Sequence, residues 1–170
     1  EVYGKKILSK FGLSEKDKFV CLAVRDGAYS KIKNSFTPDP HNDFRNNNID
    51  NFVLACEELV KRGYYIFRMG VVAEKPLDLD NPKIIDYANS DLRSDFMDIY
   101  LGGKCSFCIS TGYGFDYVPY VFGKPIALAS LPLADLRTHS EKFLLLTKNH
   151  FSRKEKRNLS LSEIFSYGAA

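Results

Sequence analysis

Short, continuously apolar segments recur along this chain, and each ends abruptly in charged, hydroxyl or glycine residues. Residues 19–24 and 107–109 are examples, with the unbroken apolar character of strands that are buried on both faces. Segments with helical spacing separate them; one begins near Asn48, a suitable cap, and ends at Gly63. This alternation predicts an α/β fold, with a Rossmann-like, open and mainly parallel sheet and helices on both faces.

The 170 residues fit a single domain that is large enough to bury a core. We expect residues 1–18 to be a lead-in helix or linker, residues 19–130 to form the Rossmann-like core, and residues 131–170 to be a C-terminal extension. The other predicted strands are residues 64–67, 84–87, 126–129 and 143–146.

Three further segments carry specific expectations. A helix that starts at Asp91 or Ser94 and runs to about Gly102 is expected to turn Phe96, Ile99 and Tyr100 inward. Residues 28–48 are rich in Asn, Asp, Ser and Pro and have no periodicity, so they are predicted to form a long loop. A final helix is predicted to be capped by Ser160 or Ser162.

Composition excludes some classes of function. A formal net charge of +3 without an arginine-rich stripe does not indicate nucleic-acid binding. No apolar run is long enough to span a membrane and the amino end has no signal-peptide pattern, so we expect no transmembrane segment and a cytoplasmic location.

The four cysteines do not form a metal or redox site by their spacing. Cys105 and Cys108 make a C-x-x-C pair, but Cys21 lies in a predicted strand and Cys56 on a helix, so no second pair of ligands exists. The pair also opens a strand, whereas a thioredoxin-like pair opens a helix. We predict reduced, mostly buried thiols and no bound metal.

Polar or glycine residues follow three of the predicted strands. Arg25 and Asp26 follow the first, Arg68 and Gly70 the second, and Ser110-Thr111-Gly112-Tyr113-Gly114 a later one that leads into a helix. The carboxyl ends of parallel strands meet at one edge of the sheet, where ligands of such folds bind. Two guanidinium groups and a helix amino terminus at that edge would suit a diphosphate.

Two common nucleotide motifs are absent. The G-x-G-x-x-G fingerprint belongs after the first strand, which here ends in Arg25-Asp26-Gly27, and no G-x-x-x-x-G-K-S/T occurs. Dehydrogenases that use a nicotinamide cofactor and P-loop ATPases are therefore excluded.

Several motifs together resemble a family of bacterial glycosyltransferases associated with surface-polysaccharide synthesis. The resemblance extends from about residue 13 to 165, and its motifs are residues 25–26, 41–46, 62–70, 85–88, 94–98 and 122–125. It implies one half, the carboxyl-terminal and donor-binding half, of a two-domain GT-B enzyme. The arginine after the first strand also resembles the diphosphate-contacting arginine of GT-B fucosyltransferases, although Ala23 stands where those enzymes have a histidine.

The resemblance implies roles for individual residues. Arg25 would contact the donor diphosphate and act as the catalytic group that stabilises the leaving diphosphate. Ser110, Thr111, Gly112, Tyr113 and Gly114 would cradle phosphate, and the residues implied to lie near the nucleotide or sugar are Asp26, Arg45, Arg68, Gly70 and Glu74.

Alternatives remain for several of these positions. Arg45 could equally anchor the long loop through Asp43 or Asp26, and Glu74 could be a solvated loop residue. His41 is a candidate acid or base or a solvated side chain. Two aspartates near a predicted helix start, Asp95 and Asp98, are interpreted as exposed charges.

The function predicted from the sequence is binding of a nucleotide-diphosphate sugar and transfer of its sugar. A glycan or lipid-linked acceptor would bind the amino-terminal half of the enzyme, which this chain does not resemble, so on its own the chain could bind the donor without completing transfer. Arginine and backbone N–H groups would supply the positive charge, and no metal or other cofactor is required. The alternatives are a nucleotide-sugar epimerase-like domain and a non-catalytic α/β interaction module.

Overall fold

Six strands form one sheet in the computed structural model, which describes residues 1–33, 40–77, 79–133 and 141–168. The strands are β1 (Lys18–Ala23), β2 (Tyr64–Arg68), β3 (Ile84–Ile85), β4 (Phe107–Ser110), β5 (Ile126–Leu131) and β6 (Phe143–Thr147). Their spatial order is β3-β2-β1-β4-β5-β6 and every neighbouring pair is parallel. The predicted Rossmann-like α/β fold is confirmed, and the chain changes its direction of progress across the sheet between β1 and β4.

Helices precede, separate and follow these strands. They are α1 (Val2–Lys10), α2 (Ala28–Lys33), α3 (Val53–Lys61), α4 (Asp95–Lys104), α5 (Tyr117–Val121) and α6 (Leu161–Ser166), with 3-10 helices at Pro40–Arg45, Ile49–Phe52, Tyr87–Asn89 and Gly114–Asp116. Two short antiparallel strands, β7 (Phe151–Ser152) and β8 (Arg157–Asn158), form a separate hairpin. None of the helices in the described residues is both long enough and apolar enough to cross a membrane.

The sheet has a hydrophobic core on each face because alternate residues of its strands point to opposite sides. On one face, Cys21 of β1 belongs to the same cluster as Leu101 of α4. On the other face, Val20 and Leu22 of β1 belong to the cluster that contains Cys56 of α3. The prediction of helices on both faces is thus confirmed.

The segment predicted to be one long loop contains two helical elements. α2 begins where the Asp26 carboxylate accepts a hydrogen bond from the Ala28 N–H, at 3.0 Å. The 3-10 helix Pro40–Arg45 is fixed from a distant part of the chain, because the Lys148 ammonium donates to the carbonyls of Phe44 and Asn46. The loop prediction was therefore wrong for these stretches; residues 34–39 lie outside the described part of the chain.

The prediction for the inward face of α4 was also wrong in part. Met97 and Leu101 are fully buried, whereas Phe96 and Ile99 are about half exposed. Phe96 stacks on Tyr100, with ring centroids 5.9 Å apart, and Tyr100 is partly buried against the core, as predicted. The reason is that the core packs against the face of α4 that carries Met97 and Leu101, each one residue further along the chain than Phe96 and Tyr100.

Two other expectations can be compared with the structure. The predicted sixth strand is present as β6, which pairs with β5, so the sheet continues beyond residue 130 into the segment expected to be an extension. The four cysteines are free and buried, as predicted.

Candidate functional site

A cavity of about 630 Å³ opens at the carboxyl ends of β1 and β2 and beside the turn after β4. Its wall consists of residues 24–26, 69–72 and 113–115, together with side chains from the start of α4, Tyr29 and Val118. Most of the wall is apolar, and a few charged groups converge on it. This position and size are typical of small-molecule sites in open α/β folds.

Arg25 is held in the cavity wall by its backbone. Its N–H donates to Oγ1 of Thr111 at 2.8 Å, and the Thr111 N–H in turn donates to the Ala23 carbonyl at 3.0 Å. The Arg25 carbonyl accepts a hydrogen bond from the Asn47 N–H at 2.8 Å. These bonds join the ends of β1 and β4 at the point where the strand order reverses, so the position of Arg25 is set by the fold itself.

The turn after β4 uses its own hydroxyl and amide groups to hold its shape. Oγ of Ser110 accepts a hydrogen bond from the Gly112 N–H at 3.1 Å, and the Asp116 carboxylate accepts one from the Tyr113 N–H at 2.9 Å. Ser110 and Thr111 are buried, and neither belongs to the cavity wall. Their side chains therefore shape the turn and do not face a ligand directly.

The two glycines of this turn have different structural roles. Gly112 has φ +82°, and a Cβ there would lie 2.6 Å from Leu131, so both its conformation and its surroundings require glycine. Gly114 has open space around its Cα and lies in the cavity wall. It begins the 3-10 helix that leads into α5, and the first N–H groups of a helix have no partner within that helix. Of the predicted phosphate cradle, Tyr113 and Gly114 line the cavity.

Arg68 lies beneath the site and not in its wall. Its side chain is only 2% exposed and pairs with the carboxylates of Asp26, at 3.4 Å, and Asp86, at 3.2 Å. Asp26 also accepts a hydrogen bond from the Glu74 N–H, and Asp86 accepts one from the Leu77 N–H. Arg68 thus fixes the loop between β2 and β3 from below. The sequence predicted that its guanidinium would reach the ligand site, but Arg68 does not line the cavity.

The remaining predicted site residues are divided between the cavity and its surroundings. Asp26, Gly70 and Tyr113 line the cavity, whereas Arg45 and Glu74 do not. The Glu74 carboxylate instead pairs with Lys31. The side chain of His41 lies outside the described part of the structure.

Three charged residues that the sequence patterns did not assign to the site, Arg93, Asp95 and Asp98, also line the cavity. Arg93 donates from Nη2 to the Asp98 carboxylate at 2.7 Å and to the Asp95 carboxylate at 3.2 Å. The Asp95 side chain is 98% exposed but that of Asp98 only 20%, so the interpretation as exposed charges holds for Asp95 and was wrong for Asp98. Burial raises the pKa of Asp98, although Tyr87 and Arg93 oppose this effect. No spacing pattern distinguishes the two aspartates, because their difference arises from packing.

The described residues contain no group of three or more His, Cys, Asp or Glu side chains that could hold a metal ion. Comparisons of the chain with protein-family models, with curated proteins and with solved structures find no significant match.

Proposed function

We propose that this chain is the donor-binding domain of a GT-B glycosyltransferase and that its cavity binds a nucleotide-diphosphate sugar. The observation that carries the proposal is the junction of β1 and β4, where Arg25 and Gly114 line one cavity at the point of strand-order reversal. A guanidinium and the first amides of a helix are the groups that proteins use to bind phosphate oxygens.

The role of these groups follows from the charge that develops during sugar transfer. When the bond between the sugar and the diphosphate breaks, negative charge accumulates on the leaving diphosphate. The Arg25 guanidinium and the N–H groups at Gly114 would stabilise this charge, and hydrogen bonds already fix the backbone of Arg25 and of the turn from which these groups project. An acceptor hydroxyl of a glycan or a lipid-linked glycan would attack from a second domain. The proposal includes a bacterial surface-polysaccharide pathway and a cytoplasmic location.

The test is a calorimetric titration of the chain with UDP-, GDP-, CMP- and ADP-sugars. We expect one of the nucleotide-diphosphate sugars to bind. Arg25→Ala should weaken that binding about 10- to 100-fold, which corresponds to the free energy of charge-assisted hydrogen bonds. Arg62→Ala is the matched control, because Arg62 is an exposed arginine that pairs with Glu58 and does not line the cavity. A folded chain that binds none of these sugars would contradict the proposal, and unchanged affinity of Arg25→Ala would remove the role of Arg25.

A nucleotide-sugar epimerase-like function is the second candidate. It needs acid and base groups near the sugar, and the carboxylates of Asp26 and Asp98 both line the cavity. Incubation of the chain with the bound nucleotide sugar in D₂O, followed by NMR, separates the two functions. A second epimer with deuterium at the inverted carbon favours the epimerase, and an unchanged sugar favours the glycosyltransferase domain. A folded chain without nucleotide affinity would favour the third possibility, an interaction module.

A further inference from the structure

The cavity has a second polar region besides Arg25 and Gly114. It is formed by Arg93 and Asp98, which stand before and within the first turn of α4. Their ion pair, at 2.7 Å, is mostly buried, since the two side chains are 21% and 20% exposed. Apolar side chains such as Met69 and Ile99 complete the wall around it.

The hydrogen bonds of Asp98 are incomplete. Its Oδ2 accepts from Arg93, whereas its Oδ1 is buried and has no hydrogen-bond partner among the described residues. The Tyr87 hydroxyl donates its proton to the Ser94 carbonyl, at 3.2 Å. A carboxylate oxygen can only accept, so a ligand that satisfies it must bring a donor. Because the terminal torsion of an aspartate is broad, the carboxylate can turn either oxygen toward a ligand in the cavity.

The charges of Arg93 and Asp98 limit which kind of hydrogen-bond donor a ligand can bring to this region. Arg93 also pairs with Asp95, but that side chain is 98% exposed, so water screens its charge. In the buried part of the cluster, Arg93 balances the negative charge of Asp98, so a second cation gains little there, and the Asp98 carboxylate disfavours a phosphate. A neutral hydroxyl suits both partners, because it can donate to the carboxylate and accept from the guanidinium. We propose that Asp98, positioned by Arg93, binds a ring hydroxyl of the nucleotide sugar and thereby helps to select it; this inference rests on the proposed function.

The hydroxyl could belong to the ribose or to the transferred sugar, and three ligands separate these sources. Asp98→Asn is titrated with the nucleotide sugar that the wild-type chain binds, with the corresponding nucleoside diphosphate, and with its 2′,3′-dideoxy analogue. An affinity loss of about 10- to 100-fold for the nucleotide sugar alone assigns the hydroxyl to the transferred sugar. A similar loss for the first two ligands but not for the dideoxy analogue assigns it to the ribose.

Asp91→Asn is the matched control. Asp91 is an exposed aspartate in the segment before α4 and does not line the cavity, so its substitution should leave all three affinities unchanged. If Asp98→Asn fails to fold by circular dichroism, Arg93→Lys provides the second variant, with a smaller loss for the same ligands. Unchanged affinities, or equal losses for all three ligands, would overturn the role of Asp98 while leaving the proposed function intact. A wild-type chain that binds no nucleotide overturns both.

Discussion

At the scale of single residues, the hydroxyl and carboxylate groups around the cavity mostly hold backbone. Thr111 is 1% exposed and its Oγ1 accepts the Arg25 N–H, which connects the ends of two neighbouring strands. Ser110 does the same within the turn for the Gly112 N–H. Thr111 and Ser110 are hydroxyl residues of the kind that bind phosphate, yet here they position the backbone of other residues around the cavity.

Replacement of Thr111 by Val should expose this role. Valine has nearly the same shape but no hydroxyl, so the Arg25 N–H would lose its acceptor at a partly buried position. We expect the free energy of unfolding to fall by about 1–3 kcal/mol, measured by urea denaturation, together with weaker nucleotide binding. Thr111→Ser, which keeps the hydroxyl, is the control, and equal stability of the Val and Ser variants would argue against this bond.

Asp98 should give the stability of the chain a specific pH dependence. Burial raises its pKa in the folded state, so between the ordinary aspartate pKa and this raised one the folded chain binds more protons than the unfolded chain. Across that window, rising pH should lower the free energy of unfolding of the wild type relative to Asp98→Asn. Urea denaturation of both proteins from acidic to neutral pH measures the difference, and a flat difference would contradict the burial of Asp98.

At the scale of elements, α4 carries the Arg93–Asp98 region and is fixed at both ends. Ser94 caps its beginning, where the hydroxyl accepts a hydrogen bond from the Met97 N–H at 3.3 Å. Near its end, a Cβ at Gly102 would lie 2.5 Å from the Val118 side chain, so glycine there allows α5 to approach. The cap and this close contact together set where α4 presents its charged residues to the cavity.

Loss of the α4 cap should measurably lower the free energy of unfolding. Ser94→Ala should lower the free energy of unfolding by about 1 kcal/mol, because the Met97 N–H would lose its acceptor. Ser94→Asp should retain most of the stability, since aspartate caps helices about as well as serine. Thermal or urea unfolding of the three proteins tests this, and an alanine variant as stable as the wild type would show that the cap contributes nothing.

At the scale of the whole molecule, Arg68 joins three strand ends beneath the cavity. It stands at the end of β2 and pairs with Asp26 after β1 and with Asp86 after β3. Through these carboxylates, it also fixes the backbone of Glu74 and Leu77 in the loop between β2 and β3. One buried cation thus organises the side of the site formed by three separate segments.

Replacement of Arg68 by a neutral residue should strongly lower the free energy of unfolding. Arg68→Met would leave two mostly buried carboxylates without their partner, and we expect a loss of about 3–5 kcal/mol in the free energy of unfolding. The matched control is Arg62→Met, which breaks the exposed pair with Glu58 and should change stability little. Similar urea midpoints for the two variants would contradict the organising role of Arg68.

Local sequence determined the strands of the sheet and the starts of several helical segments. The apolar runs predicted the six strands, and Asn48, Ser94 and Ser160 cap helical segments as their residue types favour. Strand direction and the meeting of polar strand ends at one edge also followed, because parallel strands separated by helices leave few other topologies. These features depend on residues that are close in the chain.

Only the tertiary structure decided which polar residues face the cavity. Arg25 and Gly114 line it, while Arg68 and Thr111, of equally suggestive type, are buried around it. Asp98 and its neighbour Asp95 look alike in the sequence, yet only Asp98 is mostly buried. The physical reason is that burial and ion pairing depend on segments far apart in the chain, whose packing no local pattern records.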